Sequence, residues 1–527
     1  MVASIGAIAS AAQGVSYYEK DGYYAKDDAE HREASAWTGK GAEALGLEGA
    51  VDPDAFRGVL EGKVPDGSGR ALGRRGKDGS IEHRPGRDVT LSAPKSVSLV
   101  GLVGGDARVV DAHDRAVAAT LAWIERNAAE TRLKDPATGR MVREGGQKMV
   151  AATFRHDTSR NLDPQLHTHA VIANMVQGED GKWRSMANEK LYESKMLIGA
   201  IYRSELARGL SRLGYNIEKT HADGRFEIAG VSREVIDAFS TRRAEIEAGM
   251  AERGMGAPSE NPRLAERAAL MSRAAKRDID RDELAGVWQR QAADLGFDAA
   301  SLAAGAKGAE PLAVGREAHR APAGAGREDG ATAGLARESA HGEGREPAPS
   351  VPGTGAETPP MTPAAQAVAW AVAHLSEREA VFSRTDLLAT ALAWDPGKVT
   401  VGEAEAAVAE REAAGSLHAA RMPGMDGLLT TDRAVGDEKE TIALMEAGRE
   451  RTRAPMRARA VDKALRNGPL TDGQKAAVKL ILSDRDRVVG VQGYAVIPSQ
   501  DYGINAERVV MPSDERESAR HGSFAAL

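Results

Sequence analysis

Three histidines stand within one short stretch of this chain, in Phe154-Arg155-His156-Asp157-Thr158-Ser159-Arg160 and Asp163-Pro164-Gln165-Leu166-His167-Thr168-His169-Ala170-Val171-Ile172. The surrounding residues restrict what this stretch can fold into. Met149 to His156 is rich in apolar and β-branched residues, Thr158 to Pro164 is turn-like, and Leu166 to Val176 is apolar again. That pattern predicts two strands around a polar turn. Side chains alternate along a strand, so His167 and His169 share a face while Thr168 points away. In a hairpin, His156 sits roughly across from His167. Three imidazoles can then converge on one ion and leave positions open, the ligand count of a catalytic metal site rather than a closed structural one. A lone strand histidine is usually packed or solvated, and spacing alone leaves both readings open.

The sequence has 527 residues and no cysteine, which excludes disulfides, thiolate zinc sites and cysteine nucleophiles and fits a cytoplasmic protein. The start, Val2 to Ala12, is small and apolar without a basic leader, and reads as a first strand and turn rather than a signal peptide. No apolar run is long enough to span a bilayer, so no membrane insertion is expected. The net charge of -7 gives no global support for nucleic-acid binding, although a local basic groove remains compatible with it.

Residues 1–300 read as one mixed α/β unit. Helices are predicted over Asp111–Arg126, Tyr192–Leu213 (closed by Gly214), Ser232–Met250 with Ser232 as N-cap, Leu264–Ala275, and Asp280–Leu295 closed by Gly296. From about Ala303 to Pro363 Gly, Ala, Pro, Glu and Arg dominate. A stretch this poor in large apolar residues is expected to be a disordered linker. Helix-like segments return at Ala364–Leu375, Ser383–Ala393 and Glu403–Ala414, then a short strand at Gly427–Thr431, suggesting a small, mostly helical, winged-helix-like fragment.

Other motifs carry possible chemistry. Tyr17-Tyr18 and Tyr23-Tyr24 bracket Glu19-Lys20-Asp21-Gly22. A tyrosine can act as a covalent nucleophile, although aromatic packing would also explain the cluster. Arg87 to Ser98 reads as a strand ending in a Ser/Pro turn that leads into a helix. Asp88 there could orient a metal-bound imidazole or accept a tyrosine proton, or it could be a surface aspartate. Lys95 could meet a phosphate or be solvated. The glycine-rich basic stretch with Arg70, Arg74, Arg75 and Lys77 can follow a phosphate backbone, as can any flexible basic loop. Arg155 joins the DNA-binding candidates.

Taken together, the tyrosine pairs, Trp37-Thr38-Gly39-Lys40-Gly41-Ala42-Glu43, Ser92-Ala93-Pro94-Lys95-Ser96-Val97-Ser98 and the His156 to His169 block resemble the conjugative relaxases of the TrwC/TraI (MobF) type, collinearly over residues 10–300. The resemblance implies an α+β fold, a palm-like antiparallel sheet with flanking helices. It implies His156, His167 and His169 as ligands of a divalent ion (Mg, Mn or Zn) and Asp88 as their acidic neighbour. Tyr17 matches the first nucleophile and Tyr23 the second, with Tyr18 and Tyr24 kept open because the spacer between the pairs is short. The implied activity is site- and strand-specific nicking and religation at a plasmid transfer origin through a 5′-phosphotyrosyl intermediate. The implied partners are single-stranded and hairpin origin DNA, a type IV secretion coupling protein and relaxosome accessory proteins, with passage to the recipient cell.

Relatives continue into a helicase whose start resembles Leu470 to Val478, followed by an expected strand Arg487–Gly493. A phosphate-binding loop should come next, yet Tyr494 to Gln500 follows, and neither Gly-Lys-Ser nor Gly-Lys-Thr occurs in the chain. The expectation is a relaxase truncated at the start of its helicase: domain 1–300, linker 301–363, helicase-like fragment 364–493 and divergent tail 494–527, with no ATP site. Rival readings are a DNA-binding remnant that no longer cuts, a rolling-circle replication initiator of the same His-rich class, and a metal-storage or hydrolytic enzyme.

Overall fold

The computed structural model describes residues 3–12, 14–15, 34–77, 81–252, 281–308, 361–420, 427–467 and 469–489. Its centre is an antiparallel sheet built from β1 (Ala3–Ala7), β2 (Ser35–Thr38), β3 (Gly86–Ser92), β4 (Lys148–Thr158) and β5 (Pro164–Gln177), in the order β1-β3-β5-β4-β2. A short strand β6 (Trp183–Arg184) pairs with the end of β5. β4 and β5 are the long central strands, and their residues are buried on both faces over most of their length. They form the hairpin predicted from the sequence, and its register sets His156 opposite His167.

Each face of the sheet has its own cover. On one, α1 (Ala107–Asn127) and α2 (Lys195–Arg212) pack side by side. The buried residues of α1, among them His113, Ala116, Val117, Thr120, Leu121 and Ile124, fall at the three- and four-residue spacing of one helical stripe. Asp106 caps its start, accepting from Arg108 N. On the other face, the helix Pro53–Leu60 sets Phe56 against the sheet. The Phe56 ring lies 5.2 Å from Phe154 and 6.1 Å from Trp37, both edge-on. Full burial of one such ring stabilises by roughly 1.5–3 kcal/mol, enough to hold a short helix in place.

Glu125, near the end of α1, links three elements. Its Oε1 accepts from Lys40 N and from Met149 N, both at 2.8 Å. The chain at Gly39 has a φ of +98°, and any side chain there would run into the Met149 carbonyl. A Cβ at Gly41 would lie 2.7 Å from the same carbonyl. The Trp37 to Gly41 text is therefore a close backbone crossing of β4.

Several helix expectations need revision. Ser232–Met250 is two helices, Arg233–Ala238 and Thr241–Ala251, with Ser232 capping the first as expected. The break buries Phe239, and the second helix starts where Thr241 Oγ1 donates to Asp163 at 2.9 Å, a tertiary contact that periodicity cannot register. Tyr192–Leu213 is likewise interrupted, at Ser194, between Glu189–Glu193 and α2. The first residues assigned to the linker are helical, because Ala299–Gly308 is Ala-rich and buries Ala303 and Ala306. Leu264–Ala275 and residues 309–360 lie outside the described residues.

Contacts divide the chain into two units, Met1–Ala371 with Leu388–Glu405, and Val372–Leu387 with Ala406–Leu527. The second holds a three-stranded antiparallel sheet, with Leu428–Thr431 between Val381–Ser383 and Leu417–Ala419. Its helices include Asp432–Ala447 and Asp472–Ser483, the latter opened by a capping box of Thr471 and Gln474. Of the expected strand Arg487–Gly493, residues 487–489 are not a strand, and the rest lies outside the described residues. Arg487 N instead donates to Gly448 O at 2.8 Å, a long-range contact between two irregular segments rather than a ladder. No described helix is long and apolar enough to cross a membrane.

Candidate metal centre

The hairpin brings the three histidines together on the face of the sheet that also carries Phe154 and Phe56. Ring centroids of His156 lie 4.8 Å from those of both His167 and His169, which are 5.2 Å apart. One nitrogen from each ring falls within 4.8 Å of the others. His156 and His169 are buried and His167 is partly so.

Neighbours fix the orientation of two rings. His167 Nδ1 lies 2.8 Å from the Gln165 carbonyl, which can only accept, so Nδ1 carries the proton and Nε2 keeps its lone pair. His169 Nδ1 lies 2.7 Å from Asp88 Oδ2 and 3.3 Å from Thr90 Oγ1. A carboxylate there also favours the Nδ1–H tautomer and leaves Nε2 for a ligand. The backing of His169 comes from strand pairing, since β3 sets Thr90 opposite His169 and Asp88 opposite Val171, whereas that of His167 comes from its own strand. The donor set suits a divalent cation: three imidazoles, two of them held through Nδ1 so that Nε2 is the ligand nitrogen.

Asp88, which the resemblance implied as an acidic neighbour, lies against His169. Its Oδ1 is buried and has no hydrogen-bond partner among the described residues, so one oxygen holds His169 while the other remains able to accept a proton. Tyr17, Tyr18, Tyr23 and Tyr24 lie outside the described residues.

The basic candidates separate into two groups. Arg74–Arg75 forms an exposed two-residue strand paired with Ile81–Glu82, and Arg70 and Lys77 flank it, also exposed. Lys95 and Arg155 have partners inside the protein. Lys95 Nζ donates to the Pro164 carbonyl at 2.8 Å at the start of β5. Burial pushes the Lys95 ammonium down to about 8, against the opposing pull of Asp163 and Glu227. Arg155 is on the helix-covered face and pairs with Asp114 of α1, so it stands behind the histidines rather than among them. Alternation along β4 already separates Arg155 from His156.

Sequence reasoning missed Thr90 and Gln165. Thr90 was within reach, two residues from Asp88 on the same face of a strand. Gln165 acts through its backbone carbonyl, which no side-chain pattern records. The turn between the two strands was expected, but the contacts that hold it were not. Asp163 accepts from Ser159 Oγ at 3.2 Å and from Thr241 Oγ1, Trp288 Nε1 donates to Leu162 O at 2.8 Å, and Leu162 has a φ of +65°.

Comparison with known proteins agrees with this geometry. Residues 11–295 match the family model described as TrwC relaxase. The chain is 32% identical over 530 residues to the multifunctional conjugation protein TraI of Escherichia coli, a match covering 97% of this chain and 26% of TraI. It therefore spans about a quarter of that relative's length. Among solved structures, a copper-bound conjugative relaxase TrwC in complex with oriT DNA is 41% identical with a TM-score of 0.51, covering 56% of this chain and 99% of that one. A metal-bound TrwC complex with oriT DNA is 41% identical with a TM-score of 0.50 over the same shares. On the family match over residues 11–295 and the 32% identity across 97% of this chain, this chain belongs to the TrwC relaxase family.

Proposed function

We propose that this chain nicks and religates one DNA strand at a plasmid transfer origin through a 5′-phosphotyrosyl intermediate. The observation that carries the reading is the triad itself, one nitrogen of each ring within 4.8 Å of the others, with His167 and His169 oriented by Gln165 and Asp88. A divalent cation bound there supplies positive charge to the non-bridging oxygens of a phosphodiester. Among Mg, Mn and Zn, imidazole nitrogen suits the transition ions better.

In this reading the Tyr17 hydroxyl attacks the scissile phosphorus. The tyrosine O–P bond forms, the P–O3′ bond breaks, and the strand is left with a free 3′-hydroxyl. Asp88 Oδ1 takes the tyrosine proton, and the leaving 3′ oxygen is protonated in turn. The bond energy is kept in the phosphotyrosine, so the step reverses without ATP. Tyr23 serves a second transfer, with Tyr18 and Tyr24 the alternatives at each pair. Arg70, Arg74, Arg75 and Lys77 supply exposed positive charge for the hairpin or single-stranded backbone. A coupling protein, relaxosome accessory proteins and passage to the recipient cell belong to the same reading.

The test is a single-turnover reaction with a labelled origin oligonucleotide and Mn²⁺. A covalent adduct mapping to Tyr17, absent in Tyr17→Phe and in chelator, supports the proposal, whereas tight DNA binding with no adduct in any metal leaves a non-cutting DNA-binding protein. An adduct on Tyr18 would move the nucleophile by one residue.

A further inference from the structure

Behind the histidine triad, on the opposite face of β5 and beside the Arg155–Asp114 pair, a second polar group of side chains is buried against the helices. Thr168 lies between His167 and His169, and alternation turns it away from them. It is buried, and its Oγ1 lies 2.8 Å from His113 Nε2 of α1. His113 Nδ1 lies 2.6 Å from the hydroxyl of Tyr202 on α2. The His113 and Tyr202 rings meet edge to face at 5.6 Å, and both residues are 0% exposed. Burial, with the Arg155 guanidinium adding to it, pushes the His113 imidazole down to about 3, so the ring is neutral at any working pH. A neutral ring has one donor and one acceptor nitrogen, and both are used here whichever carries the proton.

Polar side chains buried there lose hydration and regain it only through one another. Apolar residues of similar volume would fill the space with little or no loss of stability. What the polar set adds is a reading of register. A slip of β5 by one residue would turn His167 and His169 towards the helices and Thr168 towards the metal face. Of the strand's residues 166–170, only Thr168 has a side-chain hydroxyl to meet His113 in the observed register without displacing a metal ligand.

We infer that His113 is a positioning residue for the metal centre. With Tyr202 it grips Thr168, and through that grip it sets the strand from which His167 and His169 project. This inference rests on the metal reading above and adds to it a device on the far side of the sheet, in contact with neither ion nor DNA.

The test is Mn²⁺ binding by calorimetry on the full chain, read beside thermal melting. The apolar triple variant His113→Leu, Thr168→Val, Tyr202→Phe should melt near the parent temperature yet bind Mn²⁺ about tenfold more weakly. Thr168→Ser, which keeps the hydroxyl, should bind as the parent does. Thr120→Val serves as a control, since it deletes another buried hydroxyl of α1, one that donates to Ala116 O at 2.7 Å, and should leave affinity unchanged. If the triple variant does not fold, Tyr202→Phe alone decides, with a severalfold weaker affinity expected. Parental affinity in the triple variant or in Tyr202→Phe overturns the inference while leaving the metal site intact, as does an equal loss in Thr120→Val. A parent that binds no Mn²⁺ removes the metal reading and this inference with it.

Discussion

Asp88 Oδ2 lies 2.7 Å from His169 Nδ1, while the other oxygen of the same carboxylate is buried without a hydrogen-bond partner among the described residues. One side chain thus holds a ligand in its binding tautomer and keeps an acceptor in reserve. Asp88→Asn separates the two uses. An amide can still accept at one atom from Nδ1–H but is a far weaker base. Mn²⁺ affinity should fall about tenfold or somewhat more, as for other carboxylates that back a metal-bound histidine. Adduct formation should fall further than metal occupancy explains. Calorimetry and single-turnover nicking at saturating Mn²⁺ measure the two losses, and full nicking at saturation would remove Asp88 from proton transfer.

The close crossing at Gly39 predicts a stability loss out of proportion to one methyl group. Gly46 has a φ of +67° with open space around it, so Gly46→Ala measures the backbone cost alone, about 1 kcal/mol. Gly39→Ala adds a collision with the Met149 carbonyl and should cost about 3 kcal/mol. Urea unfolding of the two variants tests this, and equal losses would show that β4 simply moves aside.

Asp106 should govern part of the acid limb. The Arg108 guanidinium, and then the Tyr215 hydroxyl at 2.7 Å, hold the Asp106 carboxyl at about 2, below its ordinary 3.8, despite its burial. The folded value is the lower one. The stabilisation is therefore complete above about pH 4 and is lost as the pH falls towards 2. Asp106→Asn should cost about 2 kcal/mol at pH 5 and progressively less between pH 4 and 2. Denaturation of both proteins across that range checks the sign, since a constant difference would place the charge elsewhere.

The absence of Gly-Lys-Ser and Gly-Lys-Thr from these 527 residues predicts that this chain does not hydrolyse ATP. Purified chain should show no DNA-stimulated phosphate release. Hydrolysis lost on deleting residues 364–527 would reveal a nucleotide site of another design.

The central hairpin was legible because its information is local. A two-residue period, a turn-rich gap and three histidines at matching positions are all contained between Met149 and Val176. Asp88 was legible as an acid, and resemblance gave its neighbourhood, but its bond to His169 needed the β3–β5 register. What could not be read depends on residues far apart in sequence. Asp163 starts a new helix at Thr241, so one predicted helix became two. Lys95 and Arg155 looked like free cations until Pro164 and Asp114 supplied partners. His113 sits in an ordinary amphipathic stripe, and nothing in α1 says that it meets Thr168.

The three ligands belong to one hairpin, whereas the carboxylate behind His169 comes from a strand much earlier in the chain. Closing the β4–β5 hairpin needs only a short loop and so carries little entropic cost, while docking β3 means closing a far longer one. During folding, the ligand set can therefore assemble before its support does. An ion arriving then would meet three imidazoles without Asp88 and be held weakly, tightening only as β3 completes the sheet. Metal affinity in this protein is in that sense a readout of how far folding has gone, and any ion retained draws the chain towards its finished state.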